Sequence, residues 1–575
     1  MIWWITQPGR ARAEMAAVAE LAEGAPWLAD VSWGFGTETR LTAEFTIRHQ
    51  DETFPLKLVY PSFFPDTPPQ VLPRENIRLS GHQWGKGGEL CLELRADNWH
   101  PSYTGAMMIE SAYHLLSGER PTADPLGEVP SAHNMSLAQS IRGETCRLLL
   151  TSDTVIRLAG LPANEPIDLE LSEHDITGHW LIQPTRLGDK EAPMWSDTIR
   201  VMGGRTRLGV ALHLDGVALP STTDMDKLET FLIAVGQAPL LLRLRDAQDF
   251  YLLLVGKSEC RLVYGFQGSE KFIVLNYTTL IFPDPQNRLA TDYGELCEKS
   301  VAVAGAGSLG SKVAVSLARS GVRRFILIDE DILNPDNLVR NDLDARAVGL
   351  HKVDGLAARL REVNPDVDVK VRRIKLGGQE SAASTDSALK QIGGCDLIID
   401  ATAYPQVFNL CASVARSERK PMIWGEVFAG GIGGLIGRSR PDIEPPPHAA
   451  RRQISDWFDA QGVEWEGQPA ARYDLERENQ PPLIADDADV SVIAGHVARF
   501  ALDTLLYGSS SAFPASAYVI GFVATGIFAA PFDTVPIAFA MEGAWGPTVE
   551  PDAAAQLEAL AAQLFPEAEK QPDAA

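Results

Sequence analysis

The sequence predicts an α/β protein of several domains, with a doubly wound parallel sheet in its C-terminal half. Three observations predict it. Apolar runs and helical patterns alternate from Val301 to Asp400, as in a parallel sheet built from strand–helix–strand units. A glycine triplet, Gly305, Gly307 and Gly310, falls between the first apolar run and the helix after it. At 575 residues the chain is too long for a single core and should divide into about three or four domains.

Residues 1–125 read as a first α/β unit. A helix over Arg10–Glu23 stops at Gly24, strands alternate at Leu41–Arg48 and Thr53–Val59, a proline-rich loop leads to Cys91, and a helix covers Tyr103–Leu116. The stretch 120–136 reads as a linker. Residues 126–285 read as a β-rich middle domain, with a hairpin of Leu240–Leu244 and Phe250–Val255 around the turn DAQD. It carries no motif of chemistry, which suits a scaffold or docking role. In residues 286–550 the spacing predicts strands at Val301–Ala304, Arg324–Ile328, Val367–Arg373 and Leu397–Asp400, and helices over 308–320 and 350–363. The apolar stretch Tyr518–Ala530 reads as buried strands, since it is rich in Gly and Ala and stops at Pro531. Residues 551–575 read as a tail with a short helix and a frayed end.

Formal net charge is −25, which excludes a general binder of nucleic acid or of anionic membranes. The six cysteines (91, 146, 260, 297, 395, 411) have no paired metal spacing, and the N-terminal MIWWITQPGRAR has too short an apolar run for a signal peptide. Both point to a reduced, cytoplasmic protein.

Glycines after a strand let the backbone approach a phosphate, and the following helix N-terminus favours its charge. Asp329, after the next strand, is placed to bind a ribose, which by itself fits a NAD or FAD domain as well. No GxxxxGK[ST] is present, which excludes a P-loop. Asn337 and Arg340 in NLVR and Lys352 in GLHK tip the reading. A dinucleotide oxidoreductase has no need of an Arg and a Lys there; a carboxylate attacking the α-phosphorus of ATP does, because fixed cations stabilise the charge on the phosphate oxygens.

This segment resembles the adenylation domain of the ubiquitin-activating (ThiF-type) family, including its bacterial relatives in thiamine and molybdopterin synthesis. The matches are Gly305-Ala306-Gly307-Ser308-Leu309-Gly310, Asp329-Glu330-Asp331, Asn337-Leu338-Val339-Arg340 and Lys352. The resemblance implies a Rossmann-like fold, ATP and Mg2+ as cofactors, Asp329 on the ribose, Asn337, Arg340 and Lys352 around the phosphates, adenylation of a carrier's C-terminal carboxylate, and a homodimer. The family's second Asp after the strand LIID is here Ala403, which leaves Asp400 as the metal ligand or as a cap of the following helix.

Around Cys91 the chain resembles a ubiquitin-conjugating enzyme. Tyr60-Pro61, Phe64-Pro65 and Pro68-Pro69 match its proline signature, and Leu90-Cys91-Leu92 with Trp99 and Pro101 match the region of its catalytic cysteine. The resemblance implies a thioester on Cys91. Where the family has His-Pro-Asn the matching stretch here is Ser80-Gly81-His82-Gln83-Trp84, with no Asn, so His82 or Gln83 is expected to replace the oxyanion donor.

A conjugating-type domain ahead of an activating-type domain resembles the fusion proteins of CBASS-type anti-phage operons. That implies a protein substrate with a flexible C-terminal tail, either a ubiquitin-like protein or a cyclic-oligonucleotide synthase, joined to a target amine. The crossover segment after Gly430-Gly431-Ile432-Gly433-Gly434 has no cysteine. Transfer is therefore direct to Cys91, or passes through an oxyester on Ser439 or Ser455. The alternatives are an activating enzyme of a sulfur-carrier pathway, a non-catalytic conjugating-like binding module, and a NAD oxidoreductase.

Overall fold

The structure is a computed structural model and describes residues 2–75, 77–85, 87–120, 141, 144–197, 204–219, 224–257, 259–269, 271–281, 289–462, 474–477, 480–548, 550 and 552–565. The chain forms two compact units, Met1–Glu144 and Thr145–Ala575. The expected boundaries near residues 125 and 285 lie outside the described residues. So do most of the expected linker, residues 463–473 of the crossover segment and 566–575 of the tail.

In the first unit the helix Pro8–Gly24 precedes four antiparallel strands, Leu28–Phe35, Leu41–His49, Glu52–Val59 and Gln70–Pro73, each paired with the next. Alternation places Ala43, Phe45 and Ile47 on one inner face, all fully buried. The helix Gly105–Gly118 covers that face with Met108, Ile109, Ala112, Leu115 and Leu116, the spacing of one helical stripe. One buried carboxylate joins these parts. Glu14 accepts hydrogen bonds from the Tyr60 hydroxyl at 2.8 Å and the Gly105 N–H at 2.6 Å, and pairs with Arg10 at 2.9 Å.

The second unit contains two eight-stranded sheets. The first closes on itself. Its strands run in the order 179–188, 146–150, 272–281, 260–267, 249–255, 205–213 and 166–176, and 166–176 pairs back with 179–188 to complete a seven-stranded barrel. Pro193–Ser196 is appended to 179–188. The expected strand Leu240–Leu244 is instead part of the helix Ala238–Arg245. Leu240, Leu241 and Leu244 are buried while Leu242 is exposed, a helical spacing that four leucines around Arg243 do not distinguish from a strand.

The second sheet runs Asp368–Arg372, Arg324–Ile328, Ser300–Ala304, Leu397–Asp400, Met422–Val427, Gly433–Ser439, Ala517–Gly521 and Thr534–Ile537. The first five strands are parallel and doubly wound; the last three are antiparallel. The strand order reverses at Ser300–Ala304, so the carboxyl ends of that strand and of Leu397–Asp400 open the crevice where such sheets bind ligands. Of the stretch Tyr518–Ala530 only its start is strand. The remainder turns back through Gly526 and Phe532, both at positive φ, and Asp533 accepts the N–H groups of Ala529 and Ala530. Among the described residues one helix, Asp487–Tyr507, is long and apolar enough to cross a membrane; most of it is buried against the helix Ser308–Arg319 and the sheet. It is fastened by Arg438, a fully buried guanidinium on Gly433–Ser439 that pairs with Asp503 at 2.6 Å and lies over the Phe500 ring at 4.6 Å.

Candidate nucleotide and thiol sites

The strand Ser300–Ala304 ends in Gly305, whose φ of 91° a side chain would strain. Gly307 caps the helix Ser308–Arg319, and Gly310 lies in its first turn. A Cβ on Gly310 would stand 1.9 Å from the Gly305 carbonyl oxygen, so the loop can close on the helix only over a glycine. Asp329 follows the next strand. Its Oδ2 accepts the Ala306 N–H at 2.7 Å and its Oδ1 the Asp331 N–H at 2.8 Å. Burial pushes this carboxyl above its ordinary pKa, against the pull of the Asp331 N–H and of Lys352.

The short helical turn Pro335–Val339 carries Asn337, whose Oδ1 accepts the Asn334 N–H at 3.0 Å, and Arg340 closes the turn. Lys352 opens the helix Lys352–Val363, and its Nζ lies 2.7 Å from Asp331 Oδ2. Gly305, Gly307, Asp329, Asn337, Arg340 and Lys352 line one cleft, with Ser308, Asp331, Asn341, Thr402, Tyr404 and Glu426 beside them. Gly310 sits behind the loop. Helix N–H groups and two cations suit an anion, while Asp329 suits a hydroxyl. An adjoining hollow walled by Ile328, Ile374, Leu376 and Val407 shares Gly305, Asp329 and Thr402 with the cleft and suits an apolar ring.

Asp400 is not part of this convergence. Its Oδ1 accepts the Thr402 N–H at 3.0 Å and hydroxyl at 2.7 Å, and it lines an adjoining small cavity with Phe408, Trp424, Glu426 and Arg451. Burial pushes its carboxyl up. It caps the turn into the helix Pro405–Ser417, and no group of three or more His, Cys, Asp or Glu side chains able to hold a metal occurs among the described residues. Asp400 thus faces Thr402 and this small cavity, and Ala403, Gly425 and Glu426 line both the cavity and the cleft.

In the first unit Gln83–Trp84 pairs with Glu89–Leu90, and the Cys91 N–H donates to the His82 carbonyl at 2.8 Å. This ladder sets His82 directly opposite Cys91. Gln83 is spent on the loop itself. Its Oε1 accepts the N–H groups of Leu79 and Ser80, and its Nε2 donates to the Gly88 carbonyl at 2.8 Å. Trp99 Nε1 donates to the Pro65 carbonyl at 2.7 Å, tying the segment after Cys91 to the proline-rich loop. The Cys91 thiol is half-buried, and burial pushes its pKa above the ordinary value. Cys411 is fully buried and pushed much further up. Ser439 is fully buried and donates to the Pro445 carbonyl at 2.7 Å, which removes it as an oxyester site; Ser455 is half-buried.

Residues 287–451 match the ThiF family. The chain is 31% identical over 158 residues to the Sinorhizobium fredii protein y4oA (25% of this chain, 26% of that one). To the SAMP-activating enzyme E1 of Haloferax volcanii it is 29% identical over 136 residues (24% of this chain, 48% of that one). The chain thus spans about a quarter of the first relative and about half of the second. The crystal structure of E. coli MccB with AMPCPP and MccA aligns with a TM-score of 0.33 at 18% identity, over 44% of this chain and 68% of that one. The matched residues include the glycine loop, Asp329, Asn337, Arg340, Lys352 and Asp400. Sequence reasoning did not single out Asp331, Asn341, Thr402 and Glu426 for the cleft; only Asp331 carried a signal, its place in Asp329-Glu330-Asp331.

Proposed function

We propose that this protein adenylates the C-terminal carboxylate of a protein or peptide with ATP and passes the acyl group through Cys91 to a target amine. One observation carries the reading: Arg340 and Lys352 meet the glycine loop and Asp329 in a single cleft. In that cleft the glycine loop and helix N-terminus receive the phosphates, Asp329 the ribose, and the apolar hollow the base. Arg340, Lys352 and Asn337 draw charge from the α-phosphate as a carboxylate oxygen attacks phosphorus; an acyl–O–P bond forms, and the bond to the β-phosphate oxygen breaks to release pyrophosphate. The Cys91 thiolate then attacks the acyl carbon and AMP leaves. A target amine displaces the thiolate in turn and gives up one proton. His82, opposite Cys91, stabilises the oxyanion.

The substrate in this reading is a ubiquitin-like protein or a cyclic-oligonucleotide synthase with a flexible tail. The setting is a cytoplasmic homodimer in anti-phage defence. The first unit's helix, four-stranded antiparallel meander and second helix support its conjugating-enzyme-like assignment. Direct transfer to Cys91 is favoured, because the crossover segment has no cysteine and Ser439 is buried.

The deciding measurement is exchange of labelled pyrophosphate into ATP, with and without each candidate carrier encoded beside the gene. Carrier-dependent exchange is expected, together with a carrier-linked species that thiol reductant removes. Cys91→Ser should preserve exchange and replace that species with a reductant-resistant ester. Exchange absent with every carrier overturns adenylation. A reductant-sensitive species surviving in Cys91→Ser overturns transfer through Cys91. Because burial raises the Cys91 pKa, its alkylation by iodoacetamide should be slow at pH 7 and quicken as pH rises beyond the ordinary thiol range. Gly310→Ala should weaken ATP binding at least about tenfold in a fluorescent-nucleotide titration, since the added methyl forces the loop off the helix.

A further inference from the structure

Between Gly305 and Gly307 the Ala306 peptide is held from both sides. Its N–H donates to Asp329 Oδ2 at 2.7 Å, and its carbonyl accepts the Asn341 side-chain amide at 3.2 Å. Asn341 is 8% exposed, and its own Oδ1 accepts the Leu343 N–H at 3.0 Å. The backbone on either side is tied as well. The Asn341 N–H donates to the Asn337 carbonyl at 3.0 Å, and the Asp342 N–H donates to Ser311 Oγ at 3.1 Å. Ser311 is fully buried in the first turn of the helix Ser308–Arg319.

Two side chains thus bolt the turn that carries Arg340 to the two elements that receive phosphates. Asn341 reaches from the turn to the loop, and Ser311 reaches from the helix to the turn. Asn341 must be donor and acceptor at once, which an amide provides and a carboxylate or an apolar side chain does not. Without it the Ala306 carbonyl and the Leu343 N–H, both at buried residues, lose their partners.

We infer that Asn341 is a positioning residue that sets the distance between the Arg340 guanidinium and the glycine loop. It rests on the adenylation reading for its effect on rate, although the bolt itself is independent of it. A displacement of about 1 Å at a reacting centre can cost about 10²-fold, so the latch is felt in turnover more than in nucleotide capture.

The test is a double-mutant cycle of Arg340→Ala and Asn341→Ala in the full chain. It reads carrier-dependent pyrophosphate exchange, the ratio of ATP to adenosine affinity, and thermal unfolding by circular dichroism. Asn341→Ala should lower kcat by about 10–100-fold and change KM for ATP by less than about threefold. In the Arg340→Ala background it should cost less than about twofold more, because the group it positions is gone. Losses that multiply, or a rise in KM with kcat unchanged, overturn the inference. If Asn341→Ala does not fold, Ser311→Ala cuts the other bolt. It should lower kcat about three- to tenfold, and only where Arg340 is present; an unchanged kcat overturns the inference. If wild-type protein shows no exchange at all, the adenylation reading fails on its own. The latch is then decided by the ATP-to-adenosine ratio, which both substitutions should lower non-additively; additive losses overturn it.

Discussion

Lys352→Ala should lower pyrophosphate exchange by about 10²–10³-fold, and Asp331→Ala in the same chain should recover part of the loss. The first figure is that of removing one fixed donor from developing charge in a sheltered site. The second part follows from the ion pair. Lys352 Nζ lies 2.7 Å from Asp331 Oδ2, and Lys352 is far less exposed than its partner, 12% against 59%. Removing the lysine alone leaves a carboxylate facing the phosphates, and like charges about 4 Å apart repel by about 4 kcal/mol near a protein surface before salt screens them. Removing both takes away attraction and repulsion together. Exchange rates of the two single variants and the double variant check this; a double variant no faster than Lys352→Ala shows that Asp331 does not face the phosphates.

Asp503→Ala should destabilise the fold around the doubly wound sheet by about 3–5 kcal/mol, the cost of leaving a buried charge without its partner. Arg438 is fully buried and Asp503 is 5% exposed. The substitution also deprives the Ala512 N–H of its acceptor, Asp503 Oδ1 at 3.0 Å. Replacing both Arg438 and Asp503 with apolar residues of similar size should cost far less than the single change. Urea unfolding followed by the Trp424 and Trp457 environment would separate the variants. Burial pushes the Asp503 carboxyl up, but hydrogen bonds from Ser511, the Ala512 N–H and Arg438 outweigh it and hold the pKa below the ordinary value. A carboxyl depressed in the folded state contributes stability that is complete above the unfolded pKa of about 3.9 and is lost as pH falls through the lower, folded value. The wild-type advantage over Asp503→Ala should therefore persist at pH 5 and shrink below about pH 4.

The strands Arg324–Ile328 and Leu397–Asp400 were legible because each is an apolar run that stops at a carboxylate or a turn. The glycine loop, Asn337, Arg340 and Lys352 were legible because their spacing is local. Asn341 was not, since its partner is a backbone carbonyl 35 positions away that only the fold brings near. The side on which Asp400 leaves its strand depends on the packing of Phe408 and Trp424, which pattern alone does not carry. Leu240–Leu244 shows a local limit: four leucines in five residues fit either period. Closure of the barrel shows a global one, because it rests on strand pairs far apart in the chain, such as Thr278 with Arg147.

A sheet that meets its own first strand offers no rim of backbone donors and acceptors. In the strand order only Pro193–Ser196, four residues long, stands outside the closed ring. The barrel is thereby shielded from strand-to-strand aggregation. Whatever grips it must do so through side chains and connecting loops, where sequence can diversify without disturbing the scaffold.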